Sequence, residues 1–339
     1  MKKNQFKILI FLLMVLLLFF ISTCKKKPEL IKISGNTMGT TYHISVFSEL
    51  NDKSLLKNEI DNLLIKVNME MSTYIKDSEI SKFNSSNSID WYPISKGFAK
   101  VVKNSLDISE KSNGAFDISI GPLITLWGFG KKQGEQIPSI EQIEATTKYI
   151  GYEELEISIS PPKIKKKVSK LKINLSAIAK GYGVDKVAEL LNVKGIKNYL
   201  VEIGGEIRVR GTKNNNKWRI GIITPDTIND YNKVVVLSNV SLATSGDYFN
   251  YFEKNGKRYS HTINPYTKRP ITHKLASVTV IHKSCMLADG YATAINVMGP
   301  RKGYEFAIKN NLAIYMIIRK DKGFIIKMTP SFKELLSNK

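Results

Sequence analysis

Strand patterns that follow one another directly are the feature that most limits the folds open to this chain. Apolar segments with strand character occupy residues 199–203, 207–211 and 218–223, and only short turns separate them. Strands joined by short turns pair antiparallel, whereas a parallel pair needs a long crossover that is usually a helix. The sequence therefore predicts an α+β fold with mixed, largely antiparallel sheets and packed helices, and it disfavours a doubly wound parallel sheet.

The same periodicity predicts further elements. No internal repeat and no domain boundary is visible after residue 30, so we expect one large domain. The predicted helices lie at 55–71, 95–112, 176–191 and 286–298, the last of them ending at Gly299-Pro300. Further strands are predicted around a turn at 39–41 and at 172–175, 234–237, 277–281, 312–319 and 324–328, with an ordered loop at 121–134 and a hairpin tip at 163–172.

The first 24 residues have the pattern of a secretory leader. Three lysines precede an unbroken apolar run of 14 residues at 8–21, which is shorter than the roughly 20 residues of a bilayer-spanning helix. Ser22 and Thr23 then lead to Cys24 and three lysines, which resembles a bacterial lipobox and predicts lipidation of Cys24. An uncleaved membrane anchor is the alternative interpretation.

The leader divides the chain and predicts where it works. We expect a lipoprotein signal peptide at 1–23, a basic tether at 24–30 and the folded domain at 31–339. The domain is then exported and lipid-anchored to a bacterial membrane, where it faces the periplasm or the cell exterior.

Composition excludes several classes of protein. Two cysteines, Cys24 and Cys285, rule out a disulfide framework and a cysteine-based zinc or iron–sulfur site. The formal net charge is +21, from 51 basic and 30 acidic residues, which permits an anionic partner such as nucleic acid, a membrane surface, a nucleotide or an acidic protein without choosing among them. The lysines are spread along the chain and form no nucleic-acid-binding module, so we expect no nucleic acid partner.

The segment 288–294 carries the strongest pattern for a metal. Asp289 and Thr293 are four residues apart and share a face if the segment is helical. A carboxylate and a hydroxyl are ligands that suit a hard cation such as Mg²⁺. A tightly packed core helix, with Asp289 stabilised near its N-terminus, explains the same pattern.

Two glycine-containing segments could meet a phosphate. Residues 174–183 predict a strand that runs into a helix capped by Ser176, and helix N-termini bind phosphate. Lys180 would add a positive charge there. In 202–206, paired glycines lie between Glu202 and Glu206, and either carboxylate could point into a cleft. A packed strand–helix junction is equally compatible with these residues.

A third segment, 260–270, has two prolines and a histidine at its beginning. His261 could act as a general base or bind phosphate. A single histidine is more often structural, and the four histidines of the chain have no metal-ligand spacing.

Together these segments resemble the ApbE-type flavin transferases, which transfer FMN from FAD to proteins exported by bacteria. Each motif is weak alone, but nine of them in the same order over about residues 35–330 are specific. The matching segments are 37–42, 71–74, 113–117, 121–130, 174–185, 201–206, 241–247, 260–270 and 288–299.

The resemblance implies a mixed α+β fold that binds FAD and Mg²⁺ in a cleft. It implies cleavage of the FAD pyrophosphate, attachment of FMN to a Ser or Thr hydroxyl of an exported acceptor protein, and release of AMP. Some relatives hydrolyse FAD instead, so an exported FAD pyrophosphatase and a flavin-binding lipoprotein without turnover are the alternatives. No acceptor motif of the Asp-Gly-x-x-x-Ala-Thr kind occurs in the chain.

The resemblance also implies roles for individual residues. Asp289 and His261 are expected to be catalytic, with His261 assisting deprotonation of the acceptor hydroxyl. The metal ligands are expected to be Asp289, Thr293 and the backbone carbonyl of Ala177. Contacts with FAD are expected from Met38, Tyr74, Ala115, Phe116, Asp117, Asn174, Lys180 and Ile263.

Three positions depart from the family pattern, because some members have acidic residues where this chain has Asn174, Lys180 and Ala292. Loss of carboxylates should weaken metal binding or admit more water to the metal. Lys180 could offset part of the loss by neutralising phosphate charge.

Overall fold

The computed structural model describes residues 29–49, 52–130, 137–225, 231–247 and 251–337. The expected signal peptide and its lipidation site Cys24 lie outside these residues, so both stay predictions. Among the described segments, none of the helices has the length and apolar character needed to cross a bilayer.

An antiparallel sheet of eight strands organises the described part of the chain, in the order β1-β2-β6-β7-β10-β15-β16-β17. Every neighbouring pair is antiparallel. Smaller sheets join β3, β5 and β4, and pair β8 with β9, β11 with β12, and β13 with β14. The strands are β1 (Glu29–Thr37), β2 (Thr40–Ser48), β3 (Tyr92–Pro93), β4 (Leu155–Ile159), β5 (Pro162–Lys166), β6 (Asn198–Ile203), β7 (Glu206–Arg210), β8 (Trp218–Ile223), β9 (Tyr231–Leu237), β10 (Val240–Gly246), β11 (Tyr251–Lys254), β12 (Lys257–Ser260), β13 (Ile263–Asn264), β14 (Arg269–Pro270), β15 (Leu275–His282), β16 (Ala313–Arg319) and β17 (Phe324–Met328).

Helices cover the sheet, and their ends follow ordinary capping rules. Ser95 and Ser284 each accept a hydrogen bond from the third backbone N–H of their helix, which satisfies a donor that would otherwise be free. The helices are α1 (Lys53–Met71), α2 (Glu79–Ser85), α3 (Lys96–Lys111), α4 (Gly121–Leu126), α5 (Ile140–Thr147), α6 (Ala179–Val193), α7 (Cys285–Lys309) and α8 (Pro330–Ser337), with 3₁₀ turns at Ile118–Ile120 and Tyr152–Glu154. Within α7 the backbone of Gly299 is not helical, so the regular part of this helix stops where the Gly-Pro pair predicts.

Both faces of the central sheet are buried. In β16, Ile314 and Met316 face a core formed with α3 and α7, whereas Tyr315 and Ile317 face a second core formed with β8, β9 and α8. This alternation is the period of two expected for a strand. A third core lies under α1 and α6. The predicted α+β class with largely antiparallel sheets is therefore confirmed.

Three local predictions were wrong. Residues 172–175 form no strand, because their backbone bonds to other groups: Ile173 exchanges two hydrogen bonds with the side chain of Asn84, and the Asn174 N–H donates to the Ile118 carbonyl. The helix that follows begins at Ala179. Residues 121–126 form a short helix with Pro122 in its first turn, where a missing N–H costs nothing.

The third error is the lysine-rich hairpin. The tip lies at Ser160 and Pro161 rather than in 163–172, because β5 already spans Pro162–Lys166. Proline favours turns, whereas the lysines have long stems that tolerate a half-exposed strand.

Candidate functional site

The turns at one end of the central sheet meet the beginning of α6. Gly204 and Gly205, between β6 and β7, both have positive φ angles that favour glycine. The β1–β2 turn lies against them, since a Cβ on Gly204 would be 2.7 Å from Thr40 Cγ2 and 3.3 Å from Lys180 Cδ. Two turns and a helix start therefore come together where the sequence predicted phosphate-binding features.

Helices α6 and α7 cross at Gly181, and this crossing places Asp289. A Cβ on Gly181 would overlap the carbonyl of Cys285 and lie 2.8 Å from Met286 Cα, so only glycine permits the close approach. The Gly181 N–H donates to Asp289 Oδ2 at 3.0 Å. Asp289 thus lies at the beginning of α6, next to Lys180, although 108 positions separate it from Gly181.

Two buried carboxyl groups and a partly exposed lysine lie together at this position. Lys180 Nζ lies 2.7 Å from Glu206 Oε2, and no other donor among the described residues bonds to that oxygen. Glu206 is 2% exposed, and burial together with the charge of Asp289 raises the pKa of its carboxyl to about 8, against the opposing effect of Lys180. Burial also raises the pKa of Asp289, which Lys180 and the Gly181 N–H partly offset.

The lysine keeps its proton in these surroundings. Burial alone would lower the pKa of Lys180, but the carboxylates of Glu206 and Asp289 raise it above its ordinary value. The site therefore offers a fixed cation beside two carboxyl groups that are costly to ionise without a further positive charge.

A second buried carboxylate, Asp185, holds the beginning of α7. Its oxygens accept from the N–H groups of Cys285 and Met286 at 3.0 and 3.1 Å and from Ser284 Oγ at 2.7 Å. Arg208 completes the arrangement with an ion pair. A carboxylate at a helix N-terminus is favourable, and this one fixes the helix on which Asp289 lies. No local sequence pattern indicated this role, because the groups of α7 that Asp185 binds are about a hundred positions away.

The regular part of α7 places Asp289 and Thr293 one turn apart on the same face, as their spacing predicted. Thr293 Oγ1 lies 3.3 Å from Ser245 Oγ on β10. Asp289 is 4% exposed, and Thr293 is only partly buried. The described residues contain no cluster of three or more His, Cys, Asp or Glu side chains suited to a metal. A metal here would have to combine the one carboxylate with hydroxyl and carbonyl oxygens.

The 260–270 segment forms a small hairpin that lies against other loops. Ile263 is 2% exposed and packs with Leu123, Trp127 and Ile143, so its side chain belongs to an apolar cluster. Trp127 Nε1 donates to the carbonyl of Lys268 at 2.9 Å. His261 is half-buried, and its ring meets Phe129 edge-on, with centroids 6.4 Å apart.

The segment 115–117 divides between core and surface. Ala115 and Phe116 are each 2% exposed, and the Phe116 side chain packs in the core, so contact with a ligand falls to the backbone and to Asp117. Burial raises the pKa of the Asp117 carboxyl to about 6, although it accepts from Ser119 N at 2.7 Å. Asn174 lies beside it, since its N–H donates to the carbonyl of Ile118 at 2.7 Å.

The remaining expected contacts lie at the edge of this region. Met38 has a φ of 51° in the β1–β2 turn, and its side chain lies over Gly183 of α6. Ala177 is partly buried just before α6. Tyr74 is 67% exposed and bonds through its own N–H to Ser72 Oγ. The structure thus brings Met38, Lys180 and Asp289 together around the start of α6, while Tyr74 presents a free ring face.

The family of the chain follows from its similarity to known proteins. The model of the ApbE family matches residues 38–316. This chain belongs to the ApbE family. It is 42% identical over 332 residues to the FAD:protein FMN transferase of Haemophilus influenzae, covering 94% of this chain and 95% of that protein. It is 38% identical over 333 residues to the FAD:protein FMN transferase of Escherichia coli, with the same coverage.

Solved ApbE structures have the same fold. The flavin transferase ApbE from Vibrio cholerae matches with a TM-score of 0.84 and 41% identity, covering 91% of this chain and 99% of that one. The apo form of the flavinyl transferase ApbE from Pseudomonas stutzeri matches with a TM-score of 0.85 and 37% identity, covering 93% and 99%. The predicted family and fold are therefore confirmed for this ApbE chain.

Proposed function

We propose that this chain is a Mg²⁺-dependent FAD:protein FMN transferase. It cleaves the pyrophosphate of FAD, attaches FMN through a phosphoester to a Ser or Thr hydroxyl of an exported acceptor protein, and releases AMP. The observation that carries the proposal is the buried group of Lys180, Glu206 and Asp289 at the start of α6, in a chain whose relatives bear the transferase name. The positive charge of Lys180 suits a pyrophosphate, and the two carboxyl groups suit the divalent cation that accompanies it.

The residues around Asp289 fit Mg²⁺. Asp289 and Thr293 offer a carboxylate and a hydroxyl one turn apart on α7, the resemblance to the family adds the Ala177 carbonyl, and Mg²⁺ prefers oxygen ligands of these kinds. Among the described residues, Lys180 is the one donor to Glu206 Oε2, which leaves room for a further positive charge beside this carboxyl. When bound, Mg²⁺ would stabilise the negative charge that develops on the phosphoryl oxygens.

The chain's own groups bind and orient the pyrophosphate. Helix α6 begins at Ala179 without a side-chain cap, but the Ala179 N–H donates to the Leu175 carbonyl and the Gly181 N–H to Asp289, so the binding of phosphate falls mainly to the side chain of Lys180. Lys180 adds a cation fixed by Glu206. Interactions of this kind place the phosphorus for in-line attack and supply much of the rate enhancement in phosphoryl transfer.

The flavin and the acceptor hydroxyl require different groups. The exposed ring of Tyr74 can stack on the isoalloxazine, and Met38 and Asp117 can contact the flavin from the other loops. His261 accepts the hydroxyl proton while the acceptor oxygen bonds to the FMN phosphorus and the bond to AMP breaks.

The cellular setting is part of the same proposal. Lipidation of Cys24 would anchor the domain to a bacterial membrane through the basic tether, facing the periplasm or the cell exterior. One lipid chain with adjacent basic residues is the combination that gives stable anchoring.

A single assay tests the activity. The full chain in detergent is mixed with FAD, Mg²⁺ and an acceptor domain bearing the Asp-Gly-x-x-x-Ala-Thr motif, and a parallel sample contains EDTA. We expect intact-mass spectrometry to show one FMN added to the acceptor only when Mg²⁺ is present. AMP and FMN without an adduct would favour the pyrophosphatase, and FAD binding without AMP would favour a flavin-binding protein.

A further inference from the structure

Asn296 of α7 joins the metal-ligand helix to the hairpin that carries His261. Its side chain is 1% exposed, and Nδ2 donates to Thr262 Oγ1 at 3.4 Å. Its backbone carbonyl accepts from His273 Nε2 at 2.7 Å. The same residue therefore contacts the chain immediately before the hairpin and immediately after it.

The hairpin between these two contacts is a closed unit. The Ile271 N–H donates to the Thr262 carbonyl at 3.0 Å, and Ile263 pairs with Pro270. His261 directly precedes this unit, so its position depends on how Thr262 is held. On α7, Asn296 follows Thr293 by three residues, as Thr293 follows Asp289 by four, and all three share one face of the helix.

An asparagine at position 296 would be unfavourable if its side chain did no more than fill space in the core. No donor among the described residues reaches its buried Oδ1, and an unpaired buried amide oxygen destabilises a fold. A leucine would fill a similar volume without that cost. The benefit of the amide therefore lies in the group that it holds, which is the hydroxyl next to His261.

We propose that Asn296 is a positioning residue that fixes His261 relative to Asp289 and Thr293. The inference rests on the proposed function, in which His261 takes the proton of the acceptor hydroxyl. Substitution of the side chain releases only the end of the hairpin near His261, because His273 bonds to the backbone carbonyl and keeps the other end in place.

Asn296→Leu and Thr262→Val each remove the contact, and Thr262→Ser keeps it. We expect the first two to lower kcat for transfer by roughly ten- to a hundredfold, as misplacement of a catalytic group by about 1 Å does. The affinity for FAD, measured by quenching of flavin fluorescence, should change less than about twofold, and Thr262→Ser should transfer at close to the wild-type rate. The control is Thr279→Val, which removes the partly buried Thr244–Thr279 hydrogen bond in the sheet and should leave kcat unchanged.

A double-variant series in the same full chain distinguishes positioning from general damage. In a His261→Gln background, where transfer is already slow, Asn296→Leu should cause no further loss. An equal loss in both backgrounds, or failure of Thr262→Ser to transfer normally, would overturn the positioning role. Wild-type transfer by His261→Gln would instead overturn the assignment of the base, and the positioning role with it. A wild-type chain that forms no adduct would refute the proposed function itself.

Discussion

Asp185 and Asp289 lie at the same helix crossing, but their hydrogen-bonding environments differ. Asp185 accepts bonds from the N–H groups of Cys285 and Met286, from Ser284 and from Arg208. Asp289 accepts a single backbone bond from the described residues, from Gly181. Both carboxylates are buried.

The difference separates a structural carboxylate from one with capacity for a ligand. A buried carboxylate whose oxygens are all bonded stabilises its surroundings and has little capacity for a further partner. Burial raises the pKa of Asp289, because the protein alone does not compensate its charge. We infer that Asp185 fixes the beginning of α7 and that Asp289 has the capacity to bind a cation.

The largest expected effect comes from Asp289→Asn. The amide can still accept the Gly181 N–H, but it has no charge for a metal. Metal stabilisation of transition-state charge is worth several kcal/mol, so AMP release should fall by about a thousandfold. Removal of a buried charge should leave the melting temperature equal or higher. AMP is followed by chromatography, and the exposed Asp107→Asn serves as the control. Turnover within tenfold of wild type would remove Asp289 from the site.

Asp185→Asn should have the opposite profile. Breaking a buried ion pair typically costs about 3 kcal/mol of unfolding free energy, because Arg208 loses its partner. Urea denaturation should show this loss, while the folded fraction should cleave FAD within a few-fold of the wild-type rate. The double variant Asp185→Asn/Arg208→Met should recover part of the stability. Loss of turnover at unchanged stability would contradict the structural role of Asp185 and assign it to the site instead.

Gly181→Ala tests whether the helix crossing itself places Asp289. The new Cβ would overlap the Cys285 carbonyl, and overpacking of this kind costs about 2 kcal/mol, even though alanine favours a helix. Both stability and AMP release should fall. Gly183→Ala is the matched control for stability, since its Cβ would meet the flexible end of Met38 and lie at ordinary contact distance, 3.4 Å, from Ile203 Cδ1. Equal melting temperatures for the two variants would contradict a close crossing at Gly181.

The smallest expected effect concerns Asp117, a third carboxyl group whose hydrogen bonds compensate its charge only in part. Its pKa is raised to about 6, so the folded state favours the protonated form. Unfolding free energy should therefore be highest below about pH 4, decline between about pH 4 and 6, and stay low above pH 6. The pKa rise corresponds to at most about 3 kcal/mol, and the partial exposure of Asp117 reduces this to roughly 1 to 2 kcal/mol.

Asp117→Asn should remove that decline. The amide keeps the bond from Ser119 N but has no charge to bury. Urea denaturation at several pH values should show the variant gaining on the wild type as pH rises to 6. A constant difference across this range would show that Asp117 titrates normally.

Local patterns predicted much of the fold. The strands predicted at 199–203, 207–211 and 218–223 agree with β6, β7 and β8 to within one residue at each end, and a helix begins after Ser95 as its capping residue predicted. The prediction of a strand at 172–175 was wrong, because the backbone of Ile173 bonds to the side chain of Asn84 instead of to a neighbouring strand. Asn84 lies 89 positions away, so an apolar alternation of four residues does not reveal it.

The candidate site was less accessible from sequence. The four-residue spacing of Asp289 and Thr293 was visible in the sequence. No local pattern indicated the roles of Asp185 and Asn296. Their partners are separated from them by about a hundred and by 34 positions. Glu206 was distinguished from Glu202 only by the fold, in which Glu206 is buried beside Lys180 and Glu202 pairs with the exposed His43.

The sequence by itself determined that Asp289 and Thr293 lie on one helical face, because helical geometry depends only on spacing along the chain. It also determined the antiparallel character of the sheet, through its short turns. Only the tertiary structure decided that Lys180 and Glu206 lie next to Asp289 and that Asp185 binds the N–H groups at the beginning of α7. Those neighbours depend on how α6 and α7 cross at Gly181, and close packing between distant segments is set by the whole core rather than by any one stretch of residues.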